Sequence, residues 1–345
     1  MKRIAIVGAG PAGGYLAWRL AETPHQVLLF DPRAPGYEKP CGGGLSPLVG
    51  RRFPDVMALP FPHHRPPCVQ LRMSDGSQVE QPLTGNEWGT SSRADLGRAL
   101  LESALANGCV RHVRQRVTGL ERRGEMWSLR TGSGEVFTAG FLVGADGVQS
   151  TVRRQVVGPI PRQHLGLAVG YWMQGAPDAL VFQTYADMQG YLWSFPRPDH
   201  ASVGIAARVG TVPPRDLWPR VDQFLAEVCP GSVKQGRYAA LLPLAQDASL
   251  WDTPCAGPGW ALLGDAAGHV HPLTGEGIAY ALWSAALLAD ALSRGEPMAY
   301  ENLWREHYGQ ALISAAEMLC RAGAAQGAYE MVLQLALAMA FPGSG

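Results

Sequence analysis

The chain has 345 residues, 29 Lys plus Arg against 29 Asp plus Glu, a formal net charge of zero and a pI near 7.1. That balance argues against nucleic acid as a partner and against strong attraction to an anionic membrane, while the length allows a large core and two interleaved domains. No apolar run reaches the roughly twenty residues that span a bilayer, and the cysteines form no C-x-x-C, so a reducing, cytoplasmic setting is expected.

The apolar, β-rich run Arg3 to Val7 leads into Gly8-Ala9-Gly10-Pro11-Ala12-Gly13 and then a helical stretch from Tyr15 to Ala21. The glycines therefore occupy a strand-to-helix turn. Gly8 permits the tight turn, Gly10 lets the backbone approach a pyrophosphate, and Gly13 lets helix and strand pack closely; Ala12, in the same turn, is expected to border the cofactor with them. The helix N-terminus offers free N–H groups to phosphate. A second strand, Gln26 to Phe30, ends at Asp31, placed to accept the hydroxyls of an adenosine ribose and to disfavour a 2′-phosphate.

Lys39-Pro40-Cys41-Gly42-Gly43-Gly44-Leu45 follows, and its consecutive glycines need a reason, since they raise the entropy of the unfolded chain. Close approach of the Gly43 and Gly44 backbone to a flat ring is one. Cys68 to Met73 and Gln78 to Leu83, joined by Ser74-Asp75-Gly76, form a predicted β-hairpin. Arg93 opens a predicted helix from Ala94 to Ala106, and Val110 to Thr138 reads as an antiparallel meander. Phe141 to Val143 is a strand running into Gly144-Ala145-Asp146-Gly147, where Asp146 either meets a ligand or orders its own loop.

Short apolar and aromatic runs between Leu167 and Ala207, among them Tyr191-Leu192-Trp193-Ser194-Phe195-Pro196, predict a second, antiparallel sheet, followed by a helix from Leu217 to Cys229 and a strand near Arg237 to Leu242. Gly259 to Leu263 then leads into Gly264-Asp265. Ligands of an open parallel sheet bind beyond the carboxyl ends of its strands, so these separated turns converge on one dinucleotide, and the later acids favour FAD over NAD. Next come His271-Pro272-Leu273-Thr274-Gly275-Glu276-Gly277 and a helix from Ile278 to Leu292, whose N-terminal dipole suits the N1–C2=O edge of a reduced flavin. His269 and His271 lack partners at ligand spacing, so no metal is expected. Met331 to Phe341 reads as an apolar helix packed on the domain, with a membrane-surface contact as the alternative.

With these three turns the chain resembles the FAD-dependent oxidoreductase superfamily typified by p-hydroxybenzoate hydroxylase. The resemblance implies that Asp265 holds the ribityl chain, that Arg93 contacts the FAD pyrophosphate unless it is only a solvated helix-start residue, and that Pro272, Gly275, Glu276 and Gly277 border the flavin. The pairing of C-G-G-G-L at Cys41 to Leu45 with Y-x-W-x-F-P at Tyr191 to Pro196 further resembles the geranylgeranyl reductase family, over most of residues 1 to 295. That implies reduction of carbon–carbon double bonds in an isoprenoid or similarly apolar small molecule or lipid. Cys41 would donate the proton, guide it or simply pack. Tyr191, Trp193 and Phe195 would wall the substrate or form ordinary sheet core. The external electron donor would be NAD(P)H or a reduced protein carrier.

The expected fold is α/β. A Rossmann-like FAD-binding domain (1–65, 88–160 and 255–295) is interleaved with an antiparallel β-sheet substrate domain (66–87 and 161–254), and C-terminal helices follow over 296–345. Two alternatives share the scaffold. One is a flavin-dependent monooxygenase or halogenase, of which a halogenase would need a substrate-facing lysine, with Lys39 the candidate; the other is an electron-transfer flavoprotein, against which stands the lack of an iron–sulfur cysteine set.

Overall fold

The strand runs Arg3–Val7, Gln26–Phe30 and Phe141–Gly144 are apolar at nearly every position, the pattern of a sheet covered on both faces. In the computed structural model, which describes residues 2–34, 37–83, 88–322, 327 and 329–334, they form one sheet. Its order is Ala256–Gly257, Trp260–Leu262, Phe141–Gly144, Arg3–Val7, Gln26–Phe30, Val110–Val113. All neighbours are parallel except the first pair. Ile4, Ala5, Ile6, Leu142 and Val143 are fully buried. Helices Pro11–Leu20, Arg93–Leu105 and Ile278–Ser293 lie side by side, the first between the other two.

Val110–Val113 corrects one expectation, because it is the parallel edge strand of this sheet and not the start of the meander. Alternation of apolar residues reports that a strand has a buried face, not the direction of its partner. The meander consists of Val117–Arg123, Met126–Thr131 and Val136–Ala139, and packs on the parallel sheet through Phe137, whose ring lies edge-on to Phe30 at 5.2 Å.

The second large sheet runs Val233–Pro243, Leu165–Gln174, Ala201–Arg208, Gly190–Pro196, Leu180–Thr184, Cys68–Arg72, Gln78–Pro82. The hairpin of residues 68–82 thus joins this sheet, through a parallel pairing with Leu180–Thr184. The period-two alternation of strands divides its faces. Val169, Val181, Leu192, Val203 and Ile205 meet Leu217, Val221 and Phe224 of helix Pro214–Val228, while Phe182, Trp193, Phe195 and Tyr238 gather on the other side. Of the predicted apolar tail, Met331 to Gln334 is described and helical, with Leu333 buried and Met331 exposed; residues 335–341 lie outside the described residues. Among the described residues no helix is long and apolar enough to cross a membrane.

Candidate functional site

The three glycine turns meet at the carboxyl ends of the parallel strands. Gly8 has φ +101°, and a Cβ there would stand 2.3 Å from the Ala145 carbonyl oxygen. A Cβ on Gly13 would lie 1.8 Å from the Gly8 carbonyl oxygen, and one on Gly264 would lie 3.4 Å from Cβ of Ala12. At Gly8 and Gly13 only glycine allows this interlocking, and at Gly264 the φ of +53° favours it. Gly10, by contrast, opens on a cavity, and what stands 3.9 Å from its missing Cβ is the Arg93 guanidinium. The Arg93 Nε is buried without a partner. A helix N-terminus, a side-chain-free backbone and an unsatisfied buried guanidinium N–H together suit a pyrophosphate, so these residues fit the dinucleotide.

The carboxylates of Asp31, at the end of strand Gln26–Phe30, and of Asp146, in the second turn, are partly committed within the chain. Asp31 is 6 % exposed, accepting from Ala9 N–H and Arg33 N–H, each at 2.9 Å, and lines the cavity. Asp146 turns into its own loop, accepting from the Ser150 hydroxyl, from Thr151 N–H at 2.6 Å and from Val152 N–H at 3.4 Å, which caps helix Thr151–Val156. Burial raises its pKa against those hydrogen bonds.

Asp265 is paired with Lys39 Nζ, which donates to Oδ2 at 3.0 Å. Burial pushes its carboxyl up, but Lys39 and, more weakly, Arg93 outweigh it and hold the carboxyl below its ordinary value. The loop carrying Lys39 is anchored from the second sheet. Arg197 is fully buried at its side chain and donates to Glu38 Oε1 at 2.7 Å, to the Cys41 carbonyl at 2.6 Å and to the Gly42 carbonyl at 3.2 Å. Glu38 in turn accepts from the Arg93 and Ala94 N–H groups at 3.2 and 3.0 Å, and so caps the helix that carries Arg93.

That anchoring gives the glycine run a packing reason the sequence did not show. A Cβ on Gly42 would lie 2.8 Å from the Phe195 ring, and one on Gly43, at φ +79°, 2.2 Å from the Ser91 carbonyl. Gly42 and Gly44 thus approach the Phe195 ring of the chain itself, while Gly43 and Gly44 also line the cavity. The Cys41 thiol lines the cavity, its sulfur accepting from Gly43 N–H at 3.4 Å.

Tyr191, Trp193 and Phe195 share one face of their strand and line the same cavity, of about 940 Å³. They are opposed by Ala206, Gly204 and Ser202 on the neighbouring strand, small residues that leave room for the rings. A Cβ on Gly204 would lie 2.6 Å from Trp193. Trp193 Nε1 donates to Ser202 Oγ at 3.1 Å, and the Tyr191 hydroxyl donates to the Thr274 carbonyl at 2.5 Å. Ala168, Ala239, Ala240, Leu241 and Leu242 extend the apolar wall.

Of the loop before helix Ile278–Ser293, Gly275, Glu276 and Gly277 reach the cavity, whereas Pro272 is buried outside its lining. Glu276 accepts from the Ser46 hydroxyl. Burial raises its pKa, only partly countered by Ser46 and Arg51. His269, buried against Tyr308 Oη at 2.9 Å, has its pKa lowered to about 3 by burial and then by Arg153 and Arg305, and burial takes His271 to about 4. Both rings are therefore neutral.

Sequence reasoning missed Glu38, Ser46, Arg197 and Tyr329. Glu38 and Arg197 sit beside the two motifs it did find, and adjacency was the only signal available. Nothing in the order of residues links positions 38, 93 and 197.

Residues 6–35 match the NAD(P)-binding Rossmann-like domain family and residues 64–254 the FAD binding domain family. The chain is 30 % identical over 333 residues to a geranylgeranyl diphosphate reductase of Rhodobacter capsulatus, covering 88 % of this chain and 80 % of that protein. It is 28 % identical over 335 residues to a menaquinone reductase of Mycolicibacterium smegmatis, covering 89 % and 81 %. Among solved structures, a geranylgeranyl bacteriochlorophyll reductase-like protein of Thermoplasma acidophilum superposes with a TM-score of 0.77 at 21 % identity, over 99 % of this chain and 96 % of that one.

Proposed function

The chain belongs to the FAD binding domain family, as an FAD-dependent oxidoreductase of the geranylgeranyl reductase and menaquinone reductase type, and from that premise we propose that it reduces carbon–carbon double bonds of an isoprenoid or similarly apolar chain. The observation that carries this reading is the single cavity that joins the dinucleotide turns to the aromatic and alanine-lined face of the second sheet. A hydrocarbon gains about 25 cal/mol for each Å² it removes from water, so a long apolar wall is the recognition device such a substrate needs.

Bound FAD, once reduced by an external donor, would supply the hydride. The chain supplies position and a proton. Tyr191, Trp193 and Phe195 hold the chain against the sheet and exclude water, and Tyr191 is fixed by its bond to Thr274. Two groups on the cavity wall can hold a proton for the second carbon. These are the Cys41 thiol and the Glu276 carboxyl, which burial favours in its neutral form.

Solved halogenases share the fold at 18 % identity, which by itself does not decide the chemistry. A halogenase needs a lysine free to face its substrate, and Lys39 is instead bound to Asp265. The deciding experiment incubates dithionite-reduced protein with polyprenyl lipids in deuterated water. Saturated, deuterium-bearing products are expected. Oxygenated or halogenated products, or no saturation across the panel, would sink the proposal.

A further inference from the structure

We propose that the helical segment 329–334 is a fixed end wall of the substrate cavity, pinned by Glu330, and that Tyr329 determines how long an apolar chain the cavity accepts. This rests on the reading above that an apolar chain occupies the cavity. Tyr329 is 6 % exposed and lines the cavity, although it lies over 130 residues beyond the aromatic strand it faces. Its ring and the fully buried Leu333 side chain belong to one apolar cluster with Phe182, Trp193, Phe195 and Leu319. Its hydroxyl donates to the Leu273 carbonyl at 3.3 Å, while Tyr191 takes the next carbonyl, that of Thr274. The turn leading to Glu276 is thus gripped from the sheet on one side and from the segment 329–334 on the other.

Glu330 explains why the segment stays there. Glu330 is 8 % exposed, and its carboxylate accepts from Ser74 N–H at 2.7 Å, from the Ser74 hydroxyl at 2.5 Å and from the Thr184 hydroxyl. These donors lie at the hairpin tip and on strand Leu180–Thr184, so one side chain fastens the segment to two elements of the second sheet. A buried carboxylate is costly unless its oxygens are satisfied, and hydrogen bonds to an anion are about twice as strong as neutral ones. The three donors hold the carboxyl below its ordinary pKa against the opposing effect of burial. No ion pair to Glu330 exists among the described residues, and Glu330 does not line the cavity. Its role is therefore to position its neighbour.

The test compares geranyl, farnesyl and geranylgeranyl chains, first for binding to the FAD-loaded protein by tryptophan fluorescence and then for reduction. Tyr329→Ala is expected to shift the ratio of kcat/KM, and of binding affinity, toward the longest chain by about tenfold or more, the discrimination that one or two methylenes supply in an apolar pocket. Tyr329→Phe keeps the wall and is expected to keep the wild-type ratio. Glu330→Gln, which retains shape but loses the charge, should move the ratio in the direction of Tyr329→Ala by a smaller factor. Should Tyr329→Ala fail to fold, Tyr329→Leu carries the same comparison. A folded variant with truncated Tyr329 that keeps the wild-type length ratio overturns the proposal. If the wild type binds these chains but reduces none, the reductase reading falls while the binding ratio still decides the wall.

Discussion

Removing the Lys39 ammonium should leave Asp265 with only the weaker Arg93 to balance its charge in the cofactor cradle. The two side chains are 28 % and 20 % exposed and 3.0 Å apart. At an effective dielectric constant near 20 the gross attraction is about 5 kcal/mol. Desolvation and residual solvent screening cancel much of it, so a coupling of about 1–3 kcal/mol is expected. The measurement is a double-mutant cycle of Lys39→Met, Asp265→Asn and the double variant, by urea denaturation of flavin-stripped protein at neutral pH. The double variant should lose less than the sum of the singles by that coupling. The sign with pH follows from the depressed Asp265 carboxyl. Its contribution is fully present above the unfolded value near 3.8 and is lost as pH falls through the lower folded value. Additivity of the singles to within about 0.5 kcal/mol at neutral pH would refute the reasoning.

Asp265→Ala should also purify with little flavin; full yellow occupancy at unchanged affinity would remove Asp265 from ribityl binding. Cys41→Ser should change turnover of the reduced substrate more than melting temperature, and unchanged steady-state rates would leave Cys41 as packing alone. Gly43→Ala forces a side chain into φ +79° and against the Ser91 carbonyl. It is expected to destabilise by at least about 1–3 kcal/mol in thermal melts, whereas Gly76→Ala, with a similar φ of +86° but open space around it, should cost less. Glu276 has a folded pKa raised by burial. The stability this gives is present below its ordinary 4.5 and is lost as pH rises through the raised value. Glu276→Gln should flatten the decline in that window, and an unchanged pH profile of unfolding would contradict the assignment.

The nucleotide cradle was legible because its requirements are local. A strand, a turn that only glycine can make and a helix N-terminus occupy consecutive residues at Arg3 to Leu20; Gly8 and Gly13 each sit where a Cβ would strike backbone, and Gly264 holds φ +53°. The aromatic strand was legible in the same way, since period two places Tyr191, Trp193 and Phe195 on one face wherever the strand goes. Strand direction was not legible, and Val110–Val113 was misassigned because alternation is the same in parallel and antiparallel neighbours. Nor could the order of residues reveal the contacts that complete the site. Arg197 with Glu38, Lys39 with Asp265 and Tyr329 with Leu273 join positions 159, 226 and 56 residues apart. Such pairs carry no period or spacing. They exist only once two sheets and the C-terminal segment have closed over one cavity, because burial there makes an unpaired charge or hydroxyl costly and so selects which distant groups must meet.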